Sequence, residues 1–202
     1  MFDIVGIDES GKSSAAGSMF LAGVSATSKK FYELELKDSK KLKYEKREEL
    51  YYRIKQYAHI EVIKITSKEI DKYGLTSCYK NALNKIKEKF EEYGMLHDIS
   101  FSFFFDGNTN YGVDNIYTII KGDGKVKEIM AASIVARHYK DNEMLNYAKK
   151  YEQYGFERNF GYLTKEHKDA IISFGLTPIH RKTFKYKFLN NRKENNGGRK
   201  VL

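Results

Sequence analysis

Four acidic residues have the placement to do chemistry. Asp8 and Glu9 stand side by side where the apolar run Ile4-Val5-Gly6-Ile7 stops and a Gly-Lys-Ser-Ser turn begins. Ile4, Val5 and Ile7 read as a short buried strand, which puts the pair at its carboxyl end, where sites tend to form in α/β sheets. Asp106 closes the run Ile99-Ser100-Phe101-Ser102-Phe103-Phe104-Phe105, and Asp141 lies on a strongly patterned helix. Carboxylates crowded together repel, and burial raises their pKa, unless a cation neutralises them. The four are therefore read as a cage for divalent metal.

The elements that must position these acids follow from periodicity. The small apolar segment Ala15 to Val24 reads as a second strand, and Phe31 to Leu36 alternates as an edge strand or loop. A charged helix is expected over Tyr44 to Tyr57, with Leu50, Ile54 and Tyr57 on one face. His59 to Ile65 is rich in β-branched residues and reads as a strand, and Thr66 with Glu69 resembles a capping box for a short turn of helix. Tyr79, Leu83, Ile86 and Phe90 recur at helical spacing from Ser77 to Tyr93, with Gly94 after the last turn. Ile99 to Phe105 is a strand with one fully apolar face, followed by a short strand over Ile116 to Ile120. The helix from Val126 to Tyr151 carries Asp141 on its inward face, where an acid is rarely tolerated without a partner. Thr164 caps a last helix that ends near Gly175 and Pro178. Residues 1–184 read as one α/β domain with a helical C-terminal part, and 185–202 as a basic tail that frays.

Composition narrows the partners. A chain of 202 residues with a formal charge of +9 favours a polyanion such as nucleic acid, although a lysine-rich solvated surface gives the same surplus. Its single cysteine, Cys78, excludes an intrachain disulfide and a cysteine zinc site, which fits a reducing compartment. No stretch approaches the roughly 20 apolar residues of a membrane span. Met1 runs directly into a strand with Asp3, which speaks against a cleavable leader and for the cytoplasm.

A rival motif occupies the same place. Gly6-Ile7-Asp8-Glu9-Ser10-Gly11-Lys12-Ser13 satisfies the P-loop pattern G-x-x-x-x-G-K-[ST], with the Phe103-Phe104-Phe105-Asp106 run as a possible magnesium strand. Two objections weigh against it. A P-loop wraps phosphate in bare N–H groups, and Asp8 and Glu9 would put two negative charges in that cradle. It must also open a helix, whereas the residues after Ser13 look extended.

A larger set of blocks resembles a known family. Gly6 to Lys12, Asp38-Ser39-Lys40-Lys41-Leu42, Asp106-Gly107, Lys121-Gly122-Asp123, Ala131 to Arg137, Lys140-Asp141, Tyr154-Gly155-Phe156, Gly161-Tyr162, His167, Gly175, Pro178 and His180-Arg181 with Phe184 resemble ribonuclease HII, in that family's order. The resemblance implies a ribonuclease H-like fold, a mixed sheet flanked by helices. It also implies metal-dependent hydrolysis of the RNA strand of RNA-DNA hybrids, and of ribonucleotides embedded in duplex DNA, by a monomer. The family's catalytic carboxylates are matched to Asp8, Glu9, Asp106 and Asp141, holding two Mg²⁺ or Mn²⁺ ions and leaving 3′-hydroxyl and 5′-phosphate ends. Adjacent strand residues point to opposite faces, so Asp8 and Glu9 share a cluster only if the strand ends or twists between them. Asp123 reads equally as a turn former and as a contributor near the metals, while His167 and His180 read as structural.

Substrate contacts are carried over by the same resemblance. The 2′-hydroxyl separates RNA from DNA, and the family reads it with a Gly-Arg-Gly backbone and a tyrosine matching Tyr162. Here the turn is Gly11-Lys12-Ser13, with a Cβ on the third residue, and Ser18 replaces the family's proline after Gly17. Lys40 and Lys41 match phosphate-contacting lysines. A catalytically silent nucleic-acid-binding protein on the same fold is the remaining alternative.

Overall fold

Strand β1 (Asp3–Ser10) is the middle strand of a five-stranded sheet of order β3-β2-β1-β4-β5. The structure, a computed structural model, describes residues 3–36 and 42–189; Lys40 and Lys41 lie outside the described residues. β2 (Met19–Ala26) pairs antiparallel with β1, and β3 (Ala58–Ile65) antiparallel with β2. On the other side β4 (Phe101–Asp106) runs parallel to β1, and β5 (Ile116–Ile119) parallel to β4. The parallel register sets Ile7 opposite Phe105, so Asp8 and Asp106 follow side by side at the same end of the sheet.

Period-two alternation sorts the sheet's side chains onto two faces. Val5, Ile7, Leu21, Phe103 and Phe105 pack on α2 (Ser67–His97) through Leu83, Ile86 and Phe90. Phe20, Ala22 and Val24 face α1 (Tyr44–Tyr57) and α3 (Lys127–Lys150). Gly6 lets α3 close on β1: a Cβ there would lie 2.2 Å from the backbone of Glu128 and Ile129. Two shorter helices, α4 (Phe156–Asn159) and α5 (Lys165–Phe174), complete the C-terminal part. They share a third apolar cluster with Ala15, Ala16 and Met144, which includes the buried Tyr186, so packed chain continues past residue 184.

The expected α/β architecture is present, with local differences: the second strand begins at Met19 and not at Ala15, and two other segments depart from expectation. The segment expected as an edge strand or loop contains a 3₁₀ turn, Lys29–Glu33, capped by Ser28. Phe31 and Leu34 are both buried, and their three-residue spacing suits a turn rather than alternation. The capping box holds, since Thr66 Oγ1 accepts from the Glu69 N–H and Glu69 Oε2 from the Thr66 N–H. It opens not a short turn but all of α2, which bends at Gly74, where φ is 75° and ψ 159°. Among the described residues no helix is long and apolar enough to cross a membrane.

Candidate active site

Three carboxylates from three elements converge at the carboxyl end of β1. Asp8, Asp106 and Asp123 each offer an oxygen, and these oxygens lie within 4.8 Å of one another. β1 and β4 deliver the first two on the α3 face of the sheet, where Asp8 bonds to Ser133 of α3. Asp123 comes from the 3₁₀ turn Gly122–Gly124 after β5. That turn is tied to the cluster because the Gly122 N–H donates to Asp106 Oδ1 at 2.8 Å.

The electrostatics call for a cation. Burial pushes the Asp8 carboxyl well above the ordinary range, and the neighbouring charges of Glu9 and Asp106 push it further. Keeping such a group ionised near neutral pH requires positive charge at the cluster. The donors are all carboxylate oxygen, the hard ligand set that suits Mg²⁺ or Mn²⁺ rather than a thiophilic metal. The residues therefore fit a divalent ion.

Glu9 takes the opposite face, as strand alternation dictates. β1 continues through Asp8 to Ser10, so the strand does not end between the two acids. Glu9 faces Lys12 and Tyr79 of α2, and its backbone N–H donates to Asp8 Oδ1 at 2.7 Å. Burial raises its pKa; Lys12, a side-chain hydrogen bond with Asp8 and one with Tyr79 oppose the rise, and Asp106 adds to it. Glu9 thus borders the cluster from the α2 side without belonging to the group of three.

Asp141 is not brought to the cluster. It is fully buried, with Oδ2 on Arg47 of α1 at 2.6 Å and Oδ1 on Arg137, one turn earlier in α3, at 2.8 Å. The reason is helix rise: Asp141 lies eight residues beyond Ser133, about 12 Å further along α3. The inward acid has its partner, but the partner is a pair of guanidinium groups. Burial still raises its pKa, against the opposing pull of Arg137 and Arg47.

Asp141 sits level with the substrate-contact residues expected from sequence. The Arg137 guanidinium lies 5.5 Å from the Tyr162 ring centroid, with Nη1 3.5 Å from the Tyr162 hydroxyl. The turn that contains Gly11, Lys12 and Ser13 is held from beneath by Arg181, which is fully buried. Arg181 donates to the carbonyls of Gly11 at 2.6 Å, Lys12 at 2.7 Å and Gly17 at 3.2 Å. With no carboxylate among these partners, burial lowers its pKa to about 10. Ser13 has no positive φ, so its Cβ costs no backbone strain at that position. The turn leads into β2 and not into a helix, which removes the phosphate-facing helix N-terminus that a P-loop needs.

His167 and His180 form a buried pair that supports the Tyr162 loop. Their Nε2 atoms are 3.0 Å apart. The Thr177 N–H donates to His180 Nδ1 at 2.9 Å, which leaves the His180 proton on Nε2. His167 Nε2 accepts it, and His167 Nδ1 donates to the Tyr162 carbonyl at 2.9 Å. This tautomer chain is satisfied only when both rings are neutral.

Sequence reasoning had no sign of Arg47, which is 94 positions from Asp141, while Arg137 stands at the i,i+4 spacing that a helix makes neighbours. Asp123 did carry a signal, because Lys121-Gly122-Asp123 follows a strand parallel to the one that ends in Asp106.

Comparison with known proteins gives the same direction. The sequence model of the family described as ribonuclease HII matches residues 5–191. A ribonuclease HII of Helicobacter pylori (strain Shi470) is 42% identical over 193 residues, covering 91% of this chain and 92% of the relative. In shape the chain is similar to the ribonuclease H2 of Pyrococcus horikoshii OT3, with a TM-score of 0.72 and 20% identity over 96% of this chain and all of that one. It also superimposes on Bst-RNase HIII in complex with Mn²⁺, with a TM-score of 0.69 and 16% identity over 96% of this chain and 71% of the other.

Proposed function

The chain belongs to the ribonuclease HII family and is a metal-dependent nuclease that cleaves RNA paired to DNA; we propose that Asp8, Asp106 and Asp123, bordered by Glu9, hold its divalent ions, and that it also cuts at ribonucleotides embedded in duplex DNA. The observation that carries this reading is the convergence of three carboxylate oxygens within 4.8 Å at the sheet's carboxyl end. A solved relative of the same fold, Bst-RNase HIII, is described as a complex with Mn²⁺. Two Mg²⁺ or Mn²⁺ ions bound there would activate water for attack on the scissile phosphate and stabilise the leaving 3′ oxygen, giving 3′-hydroxyl and 5′-phosphate ends.

The chain's own residues do the remaining work. Asp8, Asp106 and Asp123 provide negative charge at a fixed point on the α3 face, and Glu9 reaches the same end from the α2 face. The Gly11-Lys12-Ser13 backbone and Tyr162 meet the 2′-hydroxyl side of the substrate. Lys12 adds charge for phosphate, and Lys40 and Lys41 belong to the same proposed track. Asp141 serves by orienting Arg47 and Arg137 rather than by holding metal. A monomer in the cytoplasm completes the reading; the single cysteine bears on the compartment alone, fitting a reducing one.

The test is cleavage of one DNA duplex bearing one, four or many ribonucleotides, in Mg²⁺, in Mn²⁺ and in EDTA, with product ends mapped. Metal-dependent cuts that leave 3′-hydroxyl ends support the reading, and a single-ribonucleotide duplex left intact beside a cleaved long hybrid removes the embedded-ribonucleotide part.

A further inference from the structure

The substrate-facing turn is fastened at its downstream end in a way the nuclease reading does not require. Ser18, the last residue before β2 and five past Ser13, gives both its donors to one carboxylate on α3. Its N–H reaches Glu143 Oε2 at 2.7 Å, and its hydroxyl reaches Glu143 Oε1 at 2.6 Å. A proline at this position would have neither donor. Lys64 of β3 closes the other side of Glu143, with Nζ 2.9 Å from Oε1. Burial pushes the Glu143 carboxyl up, but Ser18, Lys64 and Lys140 together bring it below its ordinary value, so it stays ionised.

The neighbouring contacts show what the clamp controls. Lys140, one turn earlier on α3, donates to the Ala16 carbonyl at 2.9 Å. Gly17 fits between them at φ +79°, and a Cβ there would lie 2.4 Å from Met144 Sδ and 2.7 Å from Lys140 Nζ. On its other side this stretch is bonded to the loop of Tyr162, because the N–H groups of Ala15 and Ala16 both donate to the Gly161 carbonyl, at 2.8 and 3.2 Å. Residues 15–18 are therefore the joint between the two elements that read the 2′-hydroxyl, and α3 grips that joint.

We propose that Glu143 is a positioning residue for ribonucleotide recognition: by holding Ser18 with both oxygens it fixes the Gly11-Lys12-Ser13 turn and the Tyr162 loop in one mutual setting. This rests on the nuclease reading above. Glu143 touches neither the acid cluster nor the reader groups, so its loss acts on selection of the ribonucleotide and spares the chemical step.

The test compares two constants in one assay with full-length protein: KM for a duplex with a single ribonucleotide, and Ki for an all-DNA duplex of the same sequence as competitor. Glu143→Gln keeps the shape and one acceptor but loses the charge. It is expected to raise KM about tenfold, with kcat within about threefold and Ki within about twofold of wild type. Ser18→Ala loses one bond of two and is expected to raise KM about threefold. The proposal is overturned if the ratio of KM to Ki stays at the wild-type value, or if KM and Ki rise together, which is the mark of a merely structural role. If Glu143→Gln does not fold, Ser18→Ala decides by the same ratio. A wild-type protein that cuts neither this duplex nor a long hybrid overturns the nuclease reading itself, and the clamp's role with it.

Discussion

Two charge clusters, each with a buried aspartate, lie along α3, and their excess charge has opposite sign. Near its first turns Asp8, Asp106 and Asp123 gather with Glu9 at their border. Further along, one carboxylate, Asp141, is held between two guanidinium groups. Burial raises the pKa of both Asp8 and Asp141, so neither burial nor the direction of a pKa shift distinguishes a site from a brace. The partners do. An acid among acids is tolerable only with an external cation, whereas an acid between arginines is complete within the fold.

The largest test of that contrast is loss of charge at the cluster. Asp8→Asn is expected to reduce cleavage by on the order of 10³ or more, without lowering the melting temperature in EDTA, because it removes repulsion while the amide oxygen can still accept from the Glu9 N–H. Asp141→Asn should do the reverse. Leaving the buried Arg47 and the half-buried Arg137 with a neutral partner costs about 3 kcal/mol, which lowers the melting temperature by about 10 °C. Thermal unfolding of the two variants in EDTA, beside their single-turnover rates, checks both; matching behaviour would erase the distinction.

A third test concerns the loop behind the cationic end. Burial, with His167 adding to it, moves His180 from 6.5 to about 4, and His167 is lowered by burial as well. A base with a depressed folded pKa stabilises the fold above its unfolded value. That contribution is lost as the pH falls from about 6.5 towards 4, by up to about 3 kcal/mol for His180. Carboxylates held below their ordinary value, such as Glu143, begin to lose theirs only near 4.5, at the foot of that window. Unfolding free energy measured from pH 7 to 4 should therefore fall in wild type and fall less in His180→Asn. Equal slopes would show that the pair is not the acid-labile element.

The smallest effect is expected at the exposed rim. Lys12→Ala removes a charge beside Glu9 and a cation 5.4 Å from the Tyr79 ring centroid. Binding of a ribonucleotide duplex should weaken severalfold, with a shallower salt dependence, by about one counterion. An unchanged salt slope would take Lys12 off the phosphate track.

Much of this was legible in the chain. Apolar alternation placed β1 and β4, and an acid at the end of each put Asp8 and Asp106 at one edge of the sheet. Helical spacing placed α1 and α3 almost to the residue. The partners of Asp141 were not legible, for a physical reason. An inward acid on a helix announces that a partner exists but not its sign, and Arg47 reaches Asp141 only through the packing of α1 on α3. Asp123 stood in a Gly-rich turn, where aspartate has a local use in any fold. The Glu143 clamp was hidden in the same way, since 125 positions separate it from Ser18.

Calorimetric titration of Mn²⁺ into wild type, Asp123→Asn and Asp141→Asn, each held well below its melting temperature, bears on the assignment of the two clusters without any need for turnover. Wild type and Asp141→Asn are expected to bind alike, and Asp123→Asn to bind at least about tenfold more weakly. Full-strength binding by Asp123→Asn together with loss of binding in Asp141→Asn would contradict the assignment outright.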